Sequence, residues 1–302
     1  MTDPHGRFSE RAMTAAMHAV ADQFRLPAAD ATLLRLTNNA VFALPTAGVV
    51  IRIARTTLLQ ARVDKTVRLA RWFKDVDAPT IRLAPPHEQP ISVNGLLATV
   101  WHYLPSKGPL LTPADLGFVL RQFHALGTPL FNLPQWDPIA DARLRLSDAE
   151  ALSSRDHDLL VAWCDALQPR IADLQRRSGS QLVHGDAHPG NLLRAENGRI
   201  VLCDFDPTCL GPWQADLVAV PVGEKRFGRS GAHAELASSY GYDVTTDPDW
   251  PVLQEARELK MVVAAVPLLA SAPGVKAEFA LRLRSVFEHD LRARWTPFAE
   301  LR

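Results

Sequence analysis

The segment between His184 and Asp206 constrains this chain more than any other. It begins with HGDAHPGN (residues 184–191), continues through the apolar strand IVLC (200–203) and ends in DFD (204–206). Asp186 is suited to orient and deprotonate an acceptor hydroxyl, while the Asn191 amide oxygen and the Asp204 carboxylate are hard ligands for Mg²⁺. This spacing predicts phosphoryl transfer to a hydroxyl, with Mg²⁺ bridging the phosphates of a nucleotide.

The two motifs resemble the catalytic and metal-binding loops of the aminoglycoside phosphotransferase (choline kinase-like) family, a branch of the protein kinase fold. That family carries H-G-D-x-H-x-x-N where protein kinases carry H-R-D-x-x-x-x-N, and I-D-F-D or I-D-W-E in place of D-F-G. Both halves are present here in the right order, as HGDAHPGN and CDFD. The resemblance implies an α+β, protein kinase-like bilobal fold with an antiparallel-sheet N-lobe and a mainly helical C-lobe. It also implies ATP or GTP as co-substrate and Mg²⁺ as cofactor.

Composition narrows the possible partners. The chain has 302 residues, 47% of them hydrophobic, and its 33 basic side chains equal its 33 acidic ones. Because there is no basic excess and no polybasic run, neither nucleic acid nor an anionic membrane is expected as a partner. The N-terminus lacks a signal-type apolar core, and the longest apolar run, residues 261–272, is too short to span a membrane. We expect a cytoplasmic enzyme that acts on a small-molecule hydroxyl acceptor.

Residues 1–104 are predicted to form the N-lobe, a nucleotide-covering sheet with one helix. Strand-like segments alternate with turns rich in Pro, Gly and Asn; they are 33–36, 40–44, 49–53 and 98–103. Between the third and fourth, apolar residues of segment 58–73 recur at helical spacing. The segment from Ile91 to Val100 is typical of a hairpin around Asn94-Gly95.

Residues 105–302 are predicted to form the helical C-lobe, which carries the catalytic and metal-binding loops and the acceptor site. The hinge is expected at residues 102–106, with a cleft between the two lobes. Thr112 followed by Pro113 predicts a capped helix start. Further helices are expected at 156–175, 232–240, 253–269 and 275–295, with Pro169 and Pro267 kinking or shortening two of them.

The predicted nucleotide site is atypical. Arg52 stands where a kinase strand usually carries the Lys that grips the α- and β-phosphates, and its fork can bind phosphate bidentately. Alignment on Trp72 puts Thr66 where the Glu partner of that basic group is expected, so the ion pair is missing unless Asp64 supplies it. The phosphate-covering hairpin contains no glycine. The nucleotide-binding residues predicted are Arg52, Asn39, Thr37 and His102.

Supporting roles follow from the same resemblance. It implies that His184 is structural, that His188 supports the loop or contacts phosphate, and that Asp216 ties the following helix to the catalytic loop. The His pair does not indicate zinc, because it flanks a loop that contains Pro and Gly rather than lying on a helix. Asp206 has two open alternatives: it reaches a second metal or it braces the loop through hydrogen bonds.

The acceptor is predicted to be a small molecule, because the short stretch between Asp204 and Asp216 leaves little room for a peptide platform. Residues 220–302 contain eleven acidic and eleven basic side chains, so no acidic site for a polycationic aminoglycoside is evident. Two alternatives to a kinase of an antibiotic or metabolite remain. One is a metabolic kinase for a sugar, amino alcohol or amino acid. The other is a nucleotide-binding pseudokinase scaffold, motivated by Thr66 and the glycine-free hairpin.

Overall fold

The chain divides into two compact units. The computed structural model describes residues 9–36, 39–54, 60–85, 88–105, 108–147, 149–270 and 273–301. The first unit comprises Met1–Leu111 with Gly190–Pro207, and the second comprises Thr112–Pro189 with Thr208–Arg302. Residues 190–207, which include Asn191 and Asp204, thus pack with the sheet-forming part of the chain. The lobe boundary between residues 104 and 105 stays a prediction.

A five-stranded antiparallel sheet forms the centre of the first unit, in the order β1-β2-β3-β5-β4. Its strands are β1 (Thr32–Leu36), β2 (Asn39–Leu44), β3 (Val49–Ala54), β4 (Ile91–Val93) and β5 (Leu96–His102). All four predicted strands are present. The predicted hairpin at Asn94-Gly95 also forms, because both residues adopt the positive φ that a tight turn requires.

Two helices accompany this sheet. Helix α1 (Glu10–Gln23), which the sequence interpretation did not predict, begins at Ser9, whose side chain caps the backbone N–H of Ala12. It buries Met13, Met17 and Val20, which join a hydrophobic core with the buried faces of β2 and β3. Helix α2 (Gln60–Asp75) matches the predicted helix. The hairpin of β7 (Leu192–Arg194) and β8 (Ile200–Leu202) completes the unit.

The second unit is mainly helical. Its helices are α3 (Pro113–His124), α4 (Pro138–Ser147), α5 (Ser154–Arg177), α6 (Ala219–Phe227), α7 (Ala232–Tyr240), α8 (Trp250–Val263) and α9 (Pro273–Phe287). A two-stranded sheet pairs β6 (Gln181–Val183) with β9 (Cys209–Gly211). The predicted start of α3 is confirmed: Thr112 and Asp115 cap each other's backbone N–H groups in a capping box.

Several predicted helix limits were wrong. Pro169 lies inside a continuous α5, so it neither shortens nor ends that helix. The predicted shortening at Pro267 is confirmed: helix α8 ends at Val263 rather than Leu269, and a separate 3₁₀ turn at Val266–Leu268 contains Pro267. Helix α9 ends at Phe287 rather than near Trp295. No helix in the described part of the chain is long and apolar enough to cross a membrane.

The contact between α3 and α7 depends on Gly117. A Cβ atom at this position would lie 2.8 Å from the Leu236 carbonyl oxygen and 2.8 Å from the Tyr240 backbone nitrogen. Alanine normally stabilises a helix relative to glycine by about 1 kcal/mol. Here the backbone of α7 would have to move, so we expect Gly117→Ala to lower the free energy of unfolding by about 1–3 kcal/mol.

Urea denaturation measures this change in the free energy of unfolding. Gly179→Ala is the control, because no atom lies within 4 Å of a Cβ at that position. Its free energy of unfolding should stay within about 0.5 kcal/mol of the wild type. A Gly117→Ala protein as stable as the wild type would contradict the close approach of the two helices.

Candidate active site

The catalytic loop, defined here as residues 184–189, follows β6 in the second unit. Gly185 has φ +81°, a conformation that favours glycine and turns the chain sharply before Asp186. Asp216 fixes the start of the loop, because its two carboxylate oxygens accept from the His184 N–H at 2.6 Å and the Gly185 N–H at 2.8 Å. His184 is fully buried, and its Nδ1 accepts from the Asp186 N–H at 3.4 Å. The contacts fit the implied anchoring role of Asp216.

Two residues that the sequence interpretation missed extend this anchor. The Nε2 of His124, at the end of α3, lies 3.0 Å from Asp216 Oδ2, and its Nδ1 lies 2.9 Å from the Tyr240 hydroxyl. Burial alone would raise the pKa of Asp216, but the hydrogen bond and charge of His124 and the nearby His184 outweigh burial and lower it. Asp216 is therefore a buried carboxylate that holds its charge while it fixes the catalytic loop.

Asp186 contacts two cations from α8. Its Oδ1 accepts from Arg257 Nη1 at 2.7 Å and lies 3.0 Å from Lys260 Nζ, which also donates to the Gly185 carbonyl oxygen at 2.9 Å. Burial would raise the pKa of Asp186, but the charges of Lys260 and Arg257 outweigh it and hold this pKa well below its usual value. Burial lowers the pKa of His188 to about 4, so this imidazole is neutral at pH 7. Asp186 is fully ionised at neutral pH.

Arg257 and Lys260 were not among the site residues predicted from the sequence. They lie three residues apart on α8, in the run EARELK (255–260), so they share one face of the helix. The spacing signals a basic pair, but nothing local in the sequence indicates that this face lies beside Asp186.

The two predicted metal ligands flank the β7–β8 hairpin of the first unit. Leu192 pairs with Leu202, and the Cys203 N–H donates to the Asn191 carbonyl oxygen at 2.9 Å, so the ladder extends to the residue before Asp204. Asp204 has φ +66°, a strained conformation for a residue other than glycine and one that is concentrated at functional sites.

This donor set fits Mg²⁺. The ion is usually held by one or two protein carboxylates, with phosphate oxygens and water as its remaining ligands. Asp204 supplies a carboxylate and Asn191 a second oxygen donor at the same end of the hairpin. Among the described residues, no group of three or more His, Cys, Asp and Glu side chains is arranged to hold a metal ion.

Arg52 on β3 contacts both carboxylates of the DFD motif. Its Nη2 donates to Asp206 Oδ2 at 2.5 Å and to Asp204 Oδ1 at 3.2 Å, and Arg35 lies 3.7 Å from the other Asp204 oxygen. Burial alone would lower the pKa of Arg52, but the two carboxylates outweigh it and raise this pKa. Two carboxylates from the loop after β8 therefore pair with Arg52. In the family pattern, a Glu from a helix is expected to be the partner of the basic residue at this position.

Asp206 also accepts hydrogen bonds from two consecutive residues of α2. The Lys65 ammonium donates to the Asp206 carbonyl oxygen at 2.6 Å, and the Thr66 hydroxyl lies 3.3 Å from Asp206 Oδ1. Asn39 donates to Asp206 Oδ2 at 3.3 Å. The second alternative for Asp206, a brace that holds the loop through hydrogen bonds, agrees with these contacts. Thr66 takes part in that brace.

The remaining predicted nucleotide residues are placed as follows. Thr37 lies outside the described residues, as does Asn38. His102 ends β5, where it pairs with Val49 and its backbone N–H donates to the Arg82 carbonyl oxygen at 3.0 Å. The structure thus brings Arg52 and Asn39 to one carboxylate cluster in the first unit. The binding roles of these residues stay predictions.

Comparison with solved structures identifies the fold. A choline kinase from Streptococcus pneumoniae is 14% identical at a TM-score of 0.62, over 90% of this chain and 99% of its own. An aminoglycoside phosphotransferase from Streptomyces rimosus is 14% identical at a TM-score of 0.62, over 82% of this chain and 98% of its own. A third structure, the GDP and kanamycin complex of an aminoglycoside phosphotransferase, is 14% identical at a TM-score of 0.61, over 91% of this chain and 98% of its own. This chain has the same protein kinase-like fold.

Sequence comparison identifies the family. Curated protein sequences give no significant match. The model of the phosphotransferase enzyme family, APH, matches residues 14–256, a span that contains both motifs and most of the two units. The chain therefore belongs to this phosphotransferase enzyme family and is a small-molecule kinase with a protein kinase-like fold.

Proposed function

We propose that this protein transfers the γ-phosphoryl group of ATP or GTP to a hydroxyl of a small molecule, an antibiotic or a metabolite. The observation that carries the proposal is the anchoring of Asp186: it follows a turn whose backbone is held by the buried Asp216. Catalysis of phosphoryl transfer depends mainly on alignment and charge stabilisation, and a fixed carboxylate supplies the alignment. We place the reaction in the cytoplasm, where nucleoside triphosphates are available.

In the proposed reaction the acceptor oxygen forms a bond to the γ-phosphorus, and the bond from this phosphorus to the bridging oxygen of the nucleoside diphosphate breaks. The hydroxyl proton passes to Asp186 and then to solvent. Because its pKa lies well below the usual value, Asp186 is a weak base. Its contribution is accordingly to hold the hydroxyl in line and to accept the proton late, as the bond to phosphorus forms.

In this proposal Asn191 and Asp204 would hold Mg²⁺, which supplies charge compensation at the nucleotide phosphates when bound. Arg52 binds the α- and β-phosphates, with Asn39, Thr37 and His102 as further nucleotide contacts. His188 stays in the loop as a neutral side chain at pH 7, since its pKa is about 4. Asp206 positions Arg52 and Lys65 of α2.

Arg52 gives a test of the nucleotide site. We expect Arg52→Met to raise the KM for ATP about 10- to 100-fold, because hydrogen bonds to a charged group contribute about 1.5–3 kcal/mol. Arg52→Lys keeps the charge but loses the guanidinium fork, so its KM for ATP should lie between those of the wild type and Arg52→Met. Arg35→Met is the matched control, since Arg35 approaches Asp204 only to 3.7 Å and is half exposed.

Steady-state kinetics with varied ATP measure this effect. The KM of the Arg35→Met protein should stay within about threefold of the wild type, as expected for an exposed ion pair. Equal effects at the two arginines would contradict a specific phosphate contact by Arg52.

A metabolic kinase is the second candidate. The similar structures include a choline kinase as well as aminoglycoside phosphotransferases, and acceptors of the metabolic kind are sugars, amino alcohols and amino acids. Of the two grounds for the scaffold alternative, the glycine-free hairpin stands, while the argument from Thr66 is weaker because Thr66 takes part in the brace around Asp206 and Arg52 has acidic partners.

Two measurements together test the proposed function. A thermal-shift titration with nucleotide and Mg²⁺ should raise the melting temperature, as any ligand of the folded state does. An ADP-release screen over a panel of hydroxyl compounds should then find turnover that Asp186→Ala abolishes. Nucleotide binding without turnover on any acceptor would favour the scaffold. Turnover by Asp186→Ala at the wild-type rate would refute the mechanism.

A further inference from the structure

The acceptor side of the site is dominated by two cations on one helix. Arg257 and Lys260 both approach the same oxygen of Asp186, at 2.7 and 3.0 Å. Both side chains retain some exposure, 19% for Arg257 and 26% for Lys260, so neither is sealed inside the protein. A molecule whose hydroxyl reaches Asp186 must therefore lie close to two positive charges.

The positive charge of these two side chains exceeds the negative charge of Asp186. One carboxylate balances one cation, and His188 adds no charge at pH 7 because burial holds its pKa at about 4. Asp186, Arg257 and Lys260 together carry a net charge of +1. A cationic acceptor would be repelled at this position, whereas an anionic one would be attracted.

Arg257 still has hydrogen-bonding capacity. Its Nη1 is used by Asp186, while its Nε is buried and has no hydrogen-bond partner within the described part of the chain. A desolvated donor without a partner is unfavourable, and a guanidinium fork matches carboxylate and phosphate geometry. Lys260 is tied to the Gly185 carbonyl oxygen as well, which leaves Arg257 as the principal recognition group.

We propose that the acceptor carries an anionic group, a carboxylate or a phosphate, that binds Arg257 and Lys260 while its hydroxyl lies at Asp186. This inference rests on the proposed function and specifies its substrate class. It sets hydroxy acids and phosphorylated alcohols ahead of polycations such as kanamycin and streptomycin, which accompany two of the similar structures.

The other source of anionic oxygen near Asp186 is the γ-phosphate of the nucleotide. The two sources make different demands on Arg257. If Arg257 recognises the acceptor, an anionic hydroxyl compound needs Arg257 in order to bind in the absence of nucleotide. If Arg257 recognises the γ-phosphate, a non-hydrolysable ATP analogue needs Arg257 in order to bind tightly.

The experiment measures binding of matched probes to the full chain by ligand-observed NMR without nucleotide. The probes are D-glycerate and glycerol 3-phosphate, each compared with glycerol. The proteins are wild type, Arg257→Gln, Arg257→Lys, Lys260→Gln and Asp186→Asn. The control is Arg177→Gln, which removes an exposed arginine that pairs with Asp249 just before α8. A thermal melt of each variant verifies folding. If Arg257→Gln does not fold, the single variants Arg257→Lys and Lys260→Gln test the anion site in its place.

We expect an anionic probe to bind wild type at least about 10-fold more tightly than glycerol. Arg257→Gln should weaken that binding about 10- to 100-fold, a charge-assisted hydrogen bond being lost, while Arg257→Lys keeps part of it. Asp186→Asn should strengthen it, because the competing carboxylate is gone. Arg177→Gln should leave it unchanged.

Three results would overturn the inference. The first is no preference for the anionic probes in wild type and in Asp186→Asn. The second is a preference that the Arg257 and Lys260 variants leave intact. The third is loss of affinity for the ATP analogue in Arg257→Gln with binding of the anionic probes unchanged, which would assign these cations to the γ-phosphate.

Failure of the proposed function is distinguishable. If the anionic probes bind through Arg257 but no hydroxyl compound is phosphorylated, the anion site stands and the kinase reaction does not. If a neutral or cationic hydroxyl compound is phosphorylated with kcat/KM unchanged in Arg257→Gln, the kinase reaction stands and the anionic acceptor does not.

Discussion

Asp186→Asn is expected to lower kcat by about 10²–10⁴-fold, the usual contribution of a positioned proton acceptor, while the affinity for nucleotide stays within about threefold. The amide keeps the shape of the side chain but cannot accept the hydroxyl proton. It also cannot balance Arg257 and Lys260, which both contact the carboxylate. The change therefore removes alignment and proton acceptance together.

Single-turnover and steady-state kinetics check this expectation, with nucleotide affinity measured separately by titration. Asp165→Asn is the matched control, because Asp165 also accepts from an arginine, at 2.6 Å, but lies exposed on α5. Its kcat should equal that of wild type. A fall in nucleotide affinity parallel to the fall in kcat would contradict the assignment of Asp186 to the acceptor hydroxyl.

The pH dependence of kcat gives a related result. Since the pKa of Asp186 lies well below its ordinary value of 3.8, the carboxylate is ionised at pH 5 and above. Protonation of Asp186 should therefore produce no decline in kcat between about pH 5 and pH 8. A decline with a midpoint near pH 6 that vanished in Asp186→Asn would show that Lys260 and Arg257 do not control this carboxylate.

The part of the site that could be predicted from the sequence is the part that local chain geometry determines. Residues 184–206 form a loop and a hairpin whose turns and hydrogen-bond ladder follow from Gly, Pro and Asn at fixed offsets. The strands of the first unit were likewise predicted, because alternation and turn residues specify them locally. Helix α1 was missed although its Ser9 cap is a recognisable start signal.

The remaining contacts join residues that are distant in sequence. Asp186 and Arg257 are 71 residues apart, and Arg52 and Asp206 are 154 apart. Neither helical periodicity nor a motif specifies which face of α8 meets the catalytic loop, since that depends on how the helices of the second unit pack. The family pattern suggested a missing partner for Arg52, but two carboxylates from another segment occupy that place.

The residues that anchor the catalytic loop likewise come from distant parts of the chain. The resemblance implied that Asp216 holds this loop, but His124 and Tyr240 come from α3 and from the end of α7. The ring of Tyr240 stacks on Trp213 with centroids 5.6 Å apart, which fixes its hydroxyl near His124. Packing between helices therefore determines the geometry of a short loop that contains one glycine, Gly185.

Asp216→Ala should lower the free energy of unfolding by about 3–5 kcal/mol, because it leaves three hydrogen-bonding groups without their buried acceptor. The His184 and Gly185 N–H groups and the His124 ring would all lose their acceptor, a carboxylate that is only 1% exposed. Asp173→Ala is the control, because Asp173 also has several partners, in its case two arginines, but is half exposed on α5. We expect no measurable change in its stability.

The dependence of this loss on pH separates the carboxylate charge from simple packing. The folded protein lowers the pKa of Asp216 below 3.8, so its stabilisation is complete above the unfolded pKa and is lost as the pH falls through the folded value. Denaturant titrations should therefore give a constant difference between wild type and Asp216→Ala above about pH 5 and a smaller one below about pH 4. If the difference were the same at pH 3 and pH 7, packing rather than the charge of Asp216 would hold the catalytic loop in place.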